Sequence, residues 1–170
     1  DLNVMVLRMC ELVLPLGFDR GPDAPQTLDG LNAYVKQTGR IKISDQNADQ
    51  SVFGSAEVNL ASRAWHEWTH YAYQIPMTPE GERTAYEHQL VDMMKVYGTD
   101  ATSLRWAQML YADIVGHTEY AARHGVFPVN QMAFNLAYLV NPHEAVEMGL
   151  FHPIDLREPP ITGAGQTLRS

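Results

Sequence analysis

The segment His66-Glu67-Trp68-Thr69-His70 constrains this chain more than any other five residues in it. In a helix, at about 100° per residue, positions 66 and 70 stand one turn apart on one face. Two imidazoles at that spacing can reach one tetrahedral ion, and neutral imidazole suits zinc. Glu67 is rotated by one residue, so it flanks the ion and can take a proton from a water that the ion polarises. Ala64, Trp65, Trp68 and Tyr71 surround the three, so the helix is expected to be half-buried. Two bland readings compete: His66 and His70 as satisfied core histidines, and Glu67 paired with Arg63 across one turn.

Helical patterning dominates the rest of the chain. Leu2 to Leu16 has helical periodicity and stops at Pro15-Leu16-Gly17. Gly21 to Pro25 reads as a loop, and Thr27 can cap a helix running to about Gln37, with Gly39 as its stop. Arg40-Ile41-Lys42-Ile43-Ser44 alternates apolar and polar residues, as a short half-buried strand does. Asp45 to Gln50 is polar, and Ser51 to Gly54 is expected to be extended. Asn59 or Ser62 is the expected cap of the motif helix, which runs to about Gln74 before Pro76. Thr78-Pro79 opens the next helix, closed by Gly98. Asp100 or Thr102 starts a long helix ending at His124-Gly125, and a shorter one spans about Val129 to Val140. Asn141-Pro142-His143-Glu144 begins the last, with Glu144 placed to complete a capping box. The expectation is therefore a mainly α (α+β) domain over 1–150, with a short strand or small sheet ahead of the motif helix. An extended Pro/Gly-rich tail is expected over 151–170.

Periodicity also bears on a third ligand. With Glu82 as zero on its helical wheel, Tyr86, Leu90, Met93 and Tyr97 fall between about 20° and 80°. Glu82 thus points into the apolar stripe, where a carboxylate needs a partner. Glu87, at about 140°, sits at the stripe's edge, while His88 and Asp92 point outward. Glu82 is the first choice and Glu87 the second; a surface acid favoured by the helix dipole is the alternative for both.

Bulk properties exclude more than they identify. The 170 residues are 45% apolar and 19% charged, a globular balance, and suffice for a sizeable core. The net charge of −8 disfavours nucleic acid and anionic membranes as partners. No run approaches the roughly 18 apolar residues that span a bilayer. Cys10 is the single cysteine, so neither an internal disulfide nor a cysteine zinc cluster can form. A cytoplasmic or virion-associated protein is expected rather than a secreted one. Asp1 at the start fits a processed product or a piece of something longer.

His66-Glu67-Trp68-Thr69-His70 followed by Glu82-Arg83-Thr84-Ala85 resembles the zincin metallopeptidases, in particular those whose third ligand is a glutamate on the following helix, written HExxH and then ExxA. The resemblance covers roughly residues 40 to 97. It implies a zincin-like helical domain in which His66, His70 and Glu82 hold one Zn2+ per chain. It further implies that Glu67 is the catalytic general base for a peptide or protein substrate, and that the strand before the helix positions substrate backbone. Tyr73, Tyr86, Tyr111, His117 and Tyr120 are the candidates for stabilising an oxyanion.

Two other classes compete. Glu67-x-x-His70 is also the ExxH element of ferritin-like di-iron carboxylate bundles, which would need further ligands such as Glu82 or Glu87 with His117 or Glu119. The segment Ala64 to His70 also loosely resembles phage and bacterial proteins. That likeness suits a non-enzymatic, metal-stabilised structural or virion-associated component of a larger assembly.

Overall fold

The computed structural model describes residues 1–49 and 51–148. The expected tail (151–170), and the domain boundary at 150, lie outside the described residues. Among those described, the chain is mainly helical with a small two-stranded parallel sheet.

Helix α1 (Leu2–Val13) starts on the Asp1 side chain, which accepts from the Asn3 N–H, and buries Met5, Val6, Met9 and Cys10. It packs along α3 (Ala56–Tyr73), the helix that carries the motif. Between them, β1 (Asp19–Arg20), α2 (Leu28–Thr38) and β2 (Lys42–Ile43) form a right-sized crossover: parallel strands cannot be joined by a tight turn, and α2 supplies the connection. Thr27 caps α2 and Gly39 ends it at φ 73, a left-handed conformation that glycine adopts without strain. β2 lies inside the expected strand, burying Ile43 and, just before it, Ile41. Its partner β1 has only two residues, too few to show a period. It is held by side chains instead: Arg40 Nε donates to Asp19 at 2.7 Å and Tyr34 Oη donates to Asp19 at 2.8 Å. Residues 51–54 form bends, not the extended segment expected of them.

α3 begins one turn earlier than expected. Ser55 is its cap, accepting from the Val58 N–H, whereas Asn59 and Ser62 are buried inside the helix. Asn59 spends its amide on the Ala48 carbonyl at 2.8 Å, tying the incoming loop to the helix. Gln74 closes α3 in a left-handed conformation. α4 (Pro79–Tyr97) follows after a short link, capped by Thr78. Gly81 is required here: a Cβ at that position would run into the carbonyl of Pro76.

The expected helix from Asp100 to His124 is continuous but not uniform. It consists of α5 (Ala101–Tyr111), a π-helical turn (Ala112–Gly116) and α6 (His117–His124), ending at Gly125. α7 (Gln131–Val140) and α8 (Pro142–Glu147) complete the described fold. At α8 the Asn141 side chain caps the Glu144 N–H. The Glu144 carboxylate then accepts from the Asn141 side-chain amide, not from its backbone as a capping box would have it.

The main core surrounds Trp65, which is wholly buried, and joins α1, the sheet, α3, α4 and α5. A smaller cluster of Tyr120, Phe134, Tyr138 and Ala145 holds the C-terminal helices to the π turn. No helix among the described residues is long and apolar enough to cross a membrane.

Candidate metal centre

Two adjacent helices bring the site together: α3 supplies His66, Glu67 and His70, and the first turn of α4 supplies Glu82. The short link through Ile75 to Thr78 forces these elements side by side. It also reaches back into the site, because the Ile75 carbonyl accepts from His70 Nδ1 at 2.9 Å. A carbonyl can only accept, so Nδ1 of His70 carries the proton and Nε2 is left to face the site. His66 is held the same way, its Nδ1 lying 2.9 Å from Gln89 Oε1.

The two Nε2 atoms face each other at 3.0 Å. Glu82 Oε2 lies 2.7 Å from Nε2 of His66, and Oε1 lies 3.4 Å from Nε2 of His70. Two imidazole lone pairs and a carboxylate therefore point at one place, and no donor of their own separates them. Such a set needs a cation between its members, either a proton or a metal ion. Tetrahedral zinc with these ligands spaces the ligand atoms by about 3.3 Å, close to the separations here. His66, His70 and Glu82 thus form a group that can hold a metal ion.

The electrostatics answer to the same arrangement. Burial disfavours the His66 imidazolium, but the Glu82 carboxylate more than offsets this, and the His66 pKa is raised to about 9. Burial likewise works against the Glu82 charge, yet hydrogen bonds from His66 and His70 hold its carboxyl well below the usual range. A proton on His66 therefore occupies the place a metal ion would take.

Glu67 flanks the group and is half-buried. Burial raises its pKa, and its Oε2 has no hydrogen-bond partner. It is not paired with Arg63, whose guanidinium instead donates to the carbonyls of Ser44 at 2.9 Å and Gln46 at 2.8 Å. A cleft of about 630 Å³ opens in front of His66, Glu67 and Glu82. Its lining also includes Asp113, Ile114, His117 and Thr118 from the π turn and the start of α6.

The other residues singled out by sequence lie elsewhere. Glu87 is exposed on α4 and is not part of the group. His88 and Asp92 do not point away from the fold: both meet Tyr73 of α3, by ring stacking at 3.9 Å and a hydrogen bond at 3.0 Å. Tyr73 is thereby held outside the cleft. Tyr86 donates to the Ala107 carbonyl within the core, and Tyr111 accepts from Arg83. Tyr120 is buried in the smaller cluster. Of the five oxyanion candidates, His117 is the one that lines the cleft. Glu119 is engaged by Arg83 at 2.8 Å and by Tyr138 at 2.7 Å, which leaves it tied into the helix packing.

Two participants escaped the sequence reading. Gln89 lies two turns beyond Glu82 on the same face of α4, so the wheel that singled out Glu82 carried its signal too. The Ile75 carbonyl had no signal, because it is backbone placed by the turn. No family model, curated protein or solved structure matches this chain.

Proposed function

We propose that His66, His70 and Glu82 bind one zinc ion per chain and that the protein is a zinc-dependent hydrolase of the metallopeptidase type. The observation that carries this reading is the convergence of three lone-pair donors on one point. Each imidazole is fixed through Nδ1 by an acceptor, an arrangement that orients ligating histidines and raises their basicity. The motif's likeness to the zincins points the same way.

Zinc held there would lower the pKa of a water and polarise a substrate carbonyl. The remaining work belongs to the chain. Glu67, which lines the cleft and has an oxygen without a hydrogen-bond partner, accepts a proton from the attacking water. The water oxygen bonds to the carbonyl carbon, the C–N bond breaks, and Glu67 returns the proton to the leaving amine. Burial of Glu67 raises its affinity for that proton, which suits a group that must take it and give it back.

The test is to measure bound zinc and peptide cleavage in the wild type and in Glu67→Gln. The expected result is one zinc per chain in both, with cleavage lowered at least about 100-fold in the variant. Unchanged cleavage, or no bound metal in the wild type, would refute the reading. Zinc without cleavage in either protein would leave the ion as a structural staple, the role expected of an assembly component.

A further inference from the structure

The cleft is lined by Glu67, Glu82 and Asp113, and only the first two have a role in the reading above. Asp113 is an anomaly. Its side chain is 16% exposed, yet no Lys or Arg among the described residues lies within ion-pair distance of it. Arg63, which lines the same cleft, feels its charge but is spent on the carbonyls of Ser44, Gln46 and Asn47. Asp113 receives a hydrogen bond at 3.1 Å from Asn135 Nδ2, and His117 Nε2 stands 3.9 Å away, too far to bond. Burying a carboxylate with so little compensation is costly.

Its neighbours are under-bonded as well. Asn135 is fully buried; its Oδ1 makes no well-formed hydrogen bond, only a weak interaction with the His117 ring. His117 is 7% exposed and its Nε2 makes no well-formed hydrogen bond either. Burial lowers the His117 pKa, so it is neutral at pH 7 and offers a lone pair as well as a proton. Asp113 lines the cleft with its carboxylate largely uncompensated, while Asn135 Oδ1 and His117 Nε2 lie buried behind it. What the carboxylate lacks is a donor-only partner.

The fold keeps Asp113 and His117 at the wall, with Asn135 behind them. The π turn carries Asp113, with His117 directly after it, and single π turns of this kind are frequent at functional sites. Gly116 lets α7 approach closely, since a Cβ there would meet Tyr138 at 3.0 Å and Phe134 at 3.2 Å. That approach is what delivers Asn135 from α7 to Asp113.

We propose that Asp113, backed by Asn135 and His117, receives a basic side chain, best a guanidinium, from a peptide lying in the cleft. A guanidinium has five N–H donors and no acceptor, the complement of what the Asp113 carboxylate offers. The net charge of −8 draws such peptides toward the protein. This assignment rests on the cleft being the substrate site, and it makes peptides with arginine near the scissile bond the preferred class.

Binding tests it without cleavage. The probes are acetyl-Ala-Arg-Ala-amide and the same peptide with citrulline, which keeps the shape and removes the charge. Each is titrated into the zinc-loaded protein and followed by NMR, including the His117 imidazole. The arginine peptide should bind about tenfold tighter, roughly 1.4 kcal/mol, and shift His117. In Asp113→Asn the ratio should fall to about one while zinc stoichiometry is unchanged. Asp113→Ser serves if the Asn variant does not fold, and is read the same way. Equal affinities in the wild type, or a preference that survives loss of the carboxylate, would overturn the assignment. A preference found in a protein that cleaves nothing would uphold it and remove only the hydrolytic reading.

Discussion

His66 is held at both ring nitrogens, by Gln89 on one side and Glu82 on the other, and each contact has a measurable consequence. Its pKa is raised from 6.5 to about 9, so in the metal-free protein the pair stabilises the fold fully below pH 6.5 and is lost as pH rises through about 9. Glu82 works in the opposite sense. Its depressed pKa contributes above its ordinary value of 4.5 and is lost only as pH falls through the lowered one. Metal-free protein should therefore be most stable between about pH 4.5 and 6.5. Binding zinc at pH 7 must expel the His66 proton. Calorimetry in two buffers of different ionisation heat should find close to one proton released per ion, with affinity climbing up to about pH 9; no release would contradict the geometry. Gln89→Leu removes the acceptor that fixes the ring, and zinc affinity should drop by about 10 to 100-fold in a competition assay with a chelator. At this scale the sequence was informative wherever side chains repeat with a helical period. His66, His70 and Glu82 were legible in that way. Asp113 was not, because its orientation depends on a π turn that no residue type announces.

Among the elements, the link from α3 to α4 governs the site, since Gln74 to Thr78 sets the distance between the imidazoles and Glu82. Gly81, in the first turn of α4, packs hard against it. Gly81→Ala must push α4 away from the Pro76 carbonyl, costing about 3 kcal/mol as overpacking does, and should carry Glu82 with it. Denaturant unfolding and zinc titration together check this: lower stability with weaker zinc binding is expected, and an unchanged affinity would mean that the link does not set the geometry. Capping residues made most element starts legible, as Thr27, Thr78 and Asn141 show. The start of α3 was misread because Ser55, Asn59 and Ser62 are all good caps in isolation. Only the burial of the last two, and the bond from Asn59 to Ala48, decides among them. β1 was missed for a different reason: a strand of two residues exists through its partner and through Arg40 and Tyr34, which act from outside it.

For the molecule as a whole, the candidate centre is a cross-link between two helices of one core rather than a bridge between domains. α3 packs against α1, α2, β2 and α4, so anything that fixes α3 to α4 is felt through the main core. An ion bound only by the folded protein stabilises it by about 4 kcal/mol at 1,000 times the dissociation constant. For a chain of 170 residues that corresponds to a rise in Tm on the order of 10 °C. Glu67 is not among the three residues whose ligand atoms converge, so in the proposed reading it adds nothing to this cross-link. Thermal unfolding with and without zinc should therefore show the full rise in wild type and in Glu67→Gln, and none in His66→Ala. Catalysis should divide the same proteins differently, with Glu67→Gln inactive despite its retained stability. A rise that disappears in Glu67→Gln would make that carboxylate a ligand rather than a base, and the assignment of roles across α3 would have to be exchanged.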